Sequence, residues 1–247
     1  MSGDLLILGA TWFVVFLFST TLHEAGHAFA AYKLGDTTAY EGGQVSLNPL
    51  PHIQREPLGM ILVPIITFAA NNWMMGWASA PYDPVWAHRY PRRAAIMALA
   101  GPAGNLILLL VAGGLLRAGM SAGIYEPYPF WMSGYGFKYE RLVQVAAGGG
   151  GPAFAEGAIA PLSILFLLNL ILFFFNLLPL PPLDGSAVLP AFMSNETAAR
   201  YNALLHQPMV SLLGLLVAWQ VFPYVFNPIL IFALRVLYPD TVYLVPG

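Results

Sequence analysis

The stretch "FSTTLHEAGHAFAAY", residues 18–32, sets two histidines and a glutamate inside an otherwise apolar run. On a helix, residues four apart lie on one face, so His23 and His27 can reach a single ion. A lone membrane histidine is often a hydrogen-bonded packing residue, and short motifs arise by chance. A triplet is harder to accommodate, because each ionisable group deep in a bilayer costs about 2.5–3.5 kcal/mol on insertion scales. The surrounding run, about Leu5 to Ala31, exceeds the ~20 apolar residues that a crossing helix needs. The stretch therefore predicts a membrane helix that carries part of a metal site.

The rest of the chain agrees with a membrane setting. Of its 247 residues 58% are hydrophobic and only 9% charged, against about a quarter charged in soluble domains. Too little polar surface remains to cover a globule, so residues 1–247 read as one integral membrane domain. The net charge of -2 says nothing of partners, and no basic run suggests a nucleic acid. With no cysteine there is no disulfide framework and no thiolate ligand for a metal. Asp4 stands where a signal peptide would carry positive charge, so the first apolar segment is expected to persist as a mature helix.

Further spans are expected at about 94–116 and 159–178. The apolar region 209–237, broken by Pro223 and Pro228, reads either as one span plus an interfacial segment or as two short passes. Segment 58–77 contains Pro64 and the pair Asn71-Asn72, which suits a re-entrant segment better than a clean crossing. Before it, "TTAYEGGQVSLNPLP" (37–51) alternates weakly around Gly42-Gly43 and predicts a short β-hairpin, with Gln44 to Leu47 as a strand. The long loop 118–157 holds Tyr125, Tyr128, Phe130, Trp131, Tyr135 and Tyr139, which suit an interfacial belt, and "AAGGGGPA" as a hinge. The expected fold class is an all-α polytopic membrane protein with a three-helix core, a short re-entrant β-hairpin and further C-terminal membrane helices.

Lysine and arginine placement sets the orientation. With the N-terminus outside and 58–77 not crossing, Lys33, Arg55, Arg89, Arg92, Arg93 and Arg200 all fall in the cytoplasm. Lys138 and Arg141 then lie outside, with Arg117 at the outer end of its helix. From His23 to Lys33 is ~15 Å at helical rise, which places the site within the bilayer and nearer the cytoplasmic face.

A catalytic zinc site takes three protein ligands and keeps one position open. Glu24 adjoins the histidines and is placed to act on water instead of ligating. Among the acidic residues only Glu24 and Asp184 adjoin or interrupt long membrane runs, so elimination points to Asp184 as third ligand; its other reading is an N-cap for the following helix. Pro179, Pro181 and Pro182 break the helix just before it, which lets the chain turn a carboxylate inward.

Together, "HEAGH" (23–27), "NLLPLPPLDG" (176–185) and "ALAGPAGN" (98–105) resemble the site-2 protease family of intramembrane zinc metalloproteases, in the small bacterial type without PDZ or regulatory module. The three elements fall in family order, one on each core span, and "LNPLPHI" (47–53) also resembles the smaller bacterial members. The resemblance implies His23, His27 and Asp184 as ligands of one Zn2+ per chain and Glu24 as the catalytic base. Asn176 matches the motif asparagine thought to help position substrate or oxyanion, and Asn105 a polar residue of the core helix. Ser186 departs from the second glycine of many members.

The implied reaction is hydrolysis of peptide bonds within or near transmembrane helices, in the bacterial cytoplasmic membrane. Its partners are the lipid bilayer and a transmembrane protein substrate, with a prior cut by another protease left open, as is the oligomeric state. An unwound substrate could add to the edge of the Gln44 to Leu47 strand. His52, in the turn beside it, reads as a gate or as a plain loop histidine; His88 and His206 read as surface residues. The same ligands would also serve a membrane metal-binding or transport protein, or a silent relative that binds membrane proteins without cutting them.

Overall fold

Among the described residues, four helices are long and apolar enough to cross a membrane, and their unburied faces are greasy. Ile7, Val14, Leu110 and Phe232 are each more than 60% exposed, an arrangement that suits lipid and not water. The protein is an integral membrane protein. The computed structural model describes residues 3–129, 140–147, 152–205 and 207–239. Phe130, Trp131, Tyr135, Tyr139, Lys138, His206 and the glycines of the expected hinge lie outside the described residues.

The crossing helices are α1 (Gly3–Leu34), α6 (Pro91–Ser121), α7 (Ala155–Asn176) and α10 (Pro208–Leu237). Short helices α2 (Thr38–Glu41), α3 (Pro49–Arg55), α4 (Val63–Asn71) and α5 (Pro84–Arg89) join the first two, and α8 (Asp184–Val188) and α9 (Asn195–Leu205) join the last two. Helix α6 lies between α1 and α7 as the centre of the core. The region 209–237 is thus one unbroken helix, with Pro223 and Pro228 inside it.

Segment 37–90 departs from and returns to one end of the bundle. The Arg93 guanidinium donates to the Leu34 carbonyl at 3.0 Å, and Asp36 accepts from the Asp83 amide at 2.9 Å. Between these ties α3 bends by 113° into a π-helical turn (Leu58–Leu62) that runs on into α4. At Asn72 the backbone turns left-handed and reverses, and Trp77 N–H returns to the Gly59 carbonyl at 3.2 Å. The tip packs Phe68 and Met74 against Trp12 and Phe16 of α1 and Ile164 and Leu168 of α7. The chain thus leaves this end of the bundle as a helix and returns to it without regular secondary structure.

The hairpin expected at 37–51 is not there. Residues 38–41 form a helical turn and 44–48 carry no ladder. Asn48 instead caps α3, accepting from the Leu50 amide with Pro49 at the first helical position. That cap leaves too few residues for a second strand. Gln44, expected on a free edge, is buried and donates to the Ser79 carbonyl. The structure's two-stranded hairpin pairs β1 (Tyr125–Pro127) with β2 (Val143–Val145) antiparallel, at the far end of the bundle. There Tyr125 is buried and donates to the Ala155 carbonyl, so it belongs to the core and not to an interfacial belt. Arg117 donates to the Val236 carbonyl and fastens the end of α10 to α6.

Glycine is required where the re-entrant strands touch: a Cβ on Gly76 would collide with the Gly59 carbonyl and the Phe16 ring. Gly76→Val is expected to cost about 1–3 kcal/mol or more by overpacking. The check is thermal unfolding in detergent, where the variant should melt several degrees below wild type.

Candidate metal centre

His23 and His27 point from α1 towards α6, where a third stretch of the chain meets them. Proline removes backbone donors at 179, 181 and 182, so regular helix stops after Asn176 and the chain re-enters as α8. Asp184 is the first residue of α8; the cap position belongs to Leu183, so Asp184 does not act as the N-cap. Its carboxylate instead lies 3.1 Å from His23 Nε2 and 3.3 Å from His27 Nε2, while the two Nε2 atoms are 3.0 Å apart. A tetrahedral ion with ligand atoms at ~2.0 Å would set them ~3.3 Å apart. Among the described residues, His23, His27 and Asp184 are the group able to hold a metal.

Hydrogen bonds behind the imidazoles decide which nitrogen faces this point. His27 Nδ1 lies 2.8 Å from the Met97 carbonyl, which can only accept, so Nδ1 carries a proton and the neutral ring keeps its lone pair on Nε2. His23 Nδ1 lies 2.6 Å from Asn105 Oδ1, with the same consequence. Two lone pairs and a carboxylate therefore converge, and Asp184 Oδ2 is buried without a hydrogen-bond donor. Such a donor set repels itself unless a cation sits among the three, so the residues fit zinc.

Gly101, which the sequence reading quoted within its motif but gave no role, makes the room. A Cβ there would run into both His27 Nε2 and His23 Nε2. The clue was present in "AGPAGN", but nothing in the sequence says which glycine faces the imidazoles. Asn169 was also missed; it is fully buried on α7 and bonded to Asn105. Ser186 fits without distortion, since its hydroxyl donates to the Leu183 carbonyl.

The remaining expected residues are placed as follows. Glu24 is buried beside the histidines, 6% exposed. Asn105 is fully buried, its amide engaged by His23 and Asn169. Asn176 ends α7 half-buried and donates to Leu172 of its own helix. His52 is buried in α3, where Nε2 donates to the Ser46 carbonyl. His88 is exposed.

A histidine pair and a carboxylate from a broken helix make up a metal donor set within a membrane bundle, and a buried glutamate adjoins it in the chain. The sequence profile of Peptidase family M50 matches residues 11–216, and the chain belongs to this family, the site-2 proteases. It is 36% identical over 181 residues to "Putative zinc metalloprotease YwhC" of Bacillus subtilis, covering 71% of this chain and 66% of that protein. It is 31% identical over 200 residues to "Putative zinc metalloprotease Rip2" of Mycolicibacterium smegmatis, covering 79% of this chain and 60% of that protein. The Rip2 of Mycobacterium tuberculosis strain H37Rv is 27% identical over 220 residues, or 88% of this chain and 69% of that protein. The chain thus spans about two thirds of the length of these relatives. No solved structure matches it.

Gly101→Ala is expected to lower zinc content well below wild type while the helices stay folded, and Asp184→Ala to abolish tight binding. Elemental analysis of purified protein, with circular dichroism on the same samples, checks both.

Proposed function

We propose that the chain is an intramembrane zinc metalloendopeptidase that hydrolyses peptide bonds within or near transmembrane helices of membrane-protein substrates. The observation that carries this reading is the position of Glu24, buried beside a complete His23, His27 and Asp184 donor set. A bound zinc ion would supply Lewis acidity and acidify a water molecule. Glu24 would accept the proton from the attacking water and pass it to the departing amine. Asp184, held between two imidazoles, would remain a ligand throughout. Asn176, at the point where α7 gives way to the proline loop, is the candidate for contact with substrate or oxyanion.

Depth supports a substrate inside the membrane. His27 stands about two turns before the end of α1 at Leu34, ~10 Å at helical rise, in a hydrocarbon core ~30 Å thick. With the N-terminus outside, that end of α1 faces the cytoplasm together with Arg89, Arg92 and Arg93, in keeping with the charge rule. A substrate helix would have to unwind locally, because its peptide bonds are shielded by their own hydrogen bonds.

A metal transport or storage role would use the same ligands without needing Glu24 as a base, and a silent relative would bind without cutting. Glu24→Gln separates these readings. It should keep zinc and lose cleavage by ~10²–10⁴-fold, the usual worth of a general base. The assay is reconstituted protein with a panel of single-span substrates, intact and pre-trimmed, with and without chelator. Chelator-insensitive cleavage, or full activity in the variant, would overturn the proposal.

A further inference from the structure

We propose that Asn169 on α7 sets the tautomer of His23 on α1 through Asn105 on α6, and so decides which ring nitrogen is presented to the metal; this rests on the metal-centre reading above. Asn169 Nδ2 lies 2.8 Å from the Leu165 carbonyl and 2.9 Å from Ser19 Oγ. A carbonyl can only accept, so this end of the amide is the NH2 and the other end is the oxygen. That oxygen lies 2.8 Å from the Asn105 amide, which must therefore offer its own NH2. The same NH2 is 3.5 Å from the Ser19 carbonyl, a second group that can only accept. Asn105 is left with Oδ1 towards His23, 2.6 Å from Nδ1, and an oxygen there requires Nδ1 to be protonated. Nε2 is then the bare nitrogen.

Every link has a fixed polarity, and the polarity starts at main-chain carbonyls. Reversing either amide would set oxygen against oxygen, or N–H against N–H. Ser19, Asn105 and Asn169 are all 0% exposed, and a buried polar group left unmatched costs about 1–3 kcal/mol. His27 receives the same instruction directly from the Met97 carbonyl. His23 Nδ1 instead meets the Asn105 side chain and receives the instruction across three helices. The relay uses residues that never touch the metal, so Asn169 is a positioning residue. The Ser19 hydroxyl can rotate to donate or accept, and the Leu165 and Ser19 carbonyls carry the direction.

The test uses the purified full chain. In metal-free protein with 15N-labelled histidine rings, the neutral form of wild-type His23 should show a protonated Nδ1 and a bare Nε2. Asn169→Leu removes the relay. Asn169→Asp keeps the volume but faces the Leu165 carbonyl with another acceptor. Both should populate the other tautomer and weaken zinc binding at least tenfold, within the 10–100-fold range for such outer partners; a chromophoric chelator in competition measures this. Ser19→Ala should change neither readout appreciably. Unchanged His23 ring signals and zinc affinity in both Asn169 variants, even with a lower melting temperature, would reduce Asn169 to a packing residue and overturn the proposal. A wild type that binds no zinc would sink the metal-centre reading instead, while the ring signals would still decide the relay.

Discussion

Placing two imidazoles and two carboxyl groups inside an apolar bundle is the constraint on which this structure turns. Singly, each is expensive at that depth. Grouped without a cation they are worse, because lone pairs at 3.0–3.3 Å repel. Three separate stretches of chain must therefore meet around one point, with the ligand atoms 3.0–3.3 Å from one another. Helix α1 supplies the imidazoles, α6 clears the space with Gly101, and α8 delivers the carboxylate through a loop that proline keeps out of helix. An error at any of the three leaves a charge unpaired in a medium that cannot solvate it.

The polar groups behind the centre follow from the same constraint. A membrane bundle gains little from burying apolar surface against lipid, which is equally apolar, and relies on close packing and interhelical hydrogen bonds. Here the hydrogen bonds that join α1, α6 and α7 are those that orient the histidines. Bundle assembly and site construction are thus one event. Apolar clusters at the two ends, around Leu116, Leu142 and Leu237 at one and Ala31, Trp86 and Met97 at the other, complete the packing without fixing rotation about the helix axes.

Much of this was legible in the sequence, and the failures have physical reasons. The spans were visible because lipid imposes a long apolar signal, and the core elements because each contains residues too costly to sit there by chance. The carboxylate of Asp184 could be picked out because so few acids lie near a membrane run. The hairpin at 37–51 failed because its alternation was weak, whereas the Asn48-Pro49 helix start was a local signal with a mechanism of its own. The interruption of 209–237 failed because proline at 223 and 228 only forfeits a hydrogen bond in a membrane helix that otherwise stays intact. Asn169 and Gly101 were unreadable because their roles depend on rotation about helix axes, which pattern alone leaves open. Ordinary periodicity is nearly silent in helices that are apolar all round.

One tension remains between burial and chemistry. His23, Glu24 and His27 are each under 10% exposed, yet the proposed hydrolysis would need water and an unwound peptide at their side. Some boundary of the site has to part, and the bonding limits which one. The α1, α6 and α7 boundaries are held by directional amide bonds whose rupture would release His23, and α8 is held by the carboxylate itself. The re-entrant segment differs: its contacts with α1 include apolar ones, with Phe68 near Gly9, Gly76 near Phe16 and the Trp73 ring against Trp12. Apolar contacts can slide without stranding a polar group. On the peptidase reading, the contacts of this segment with α1 are the ones that could part without unsettling the donor set.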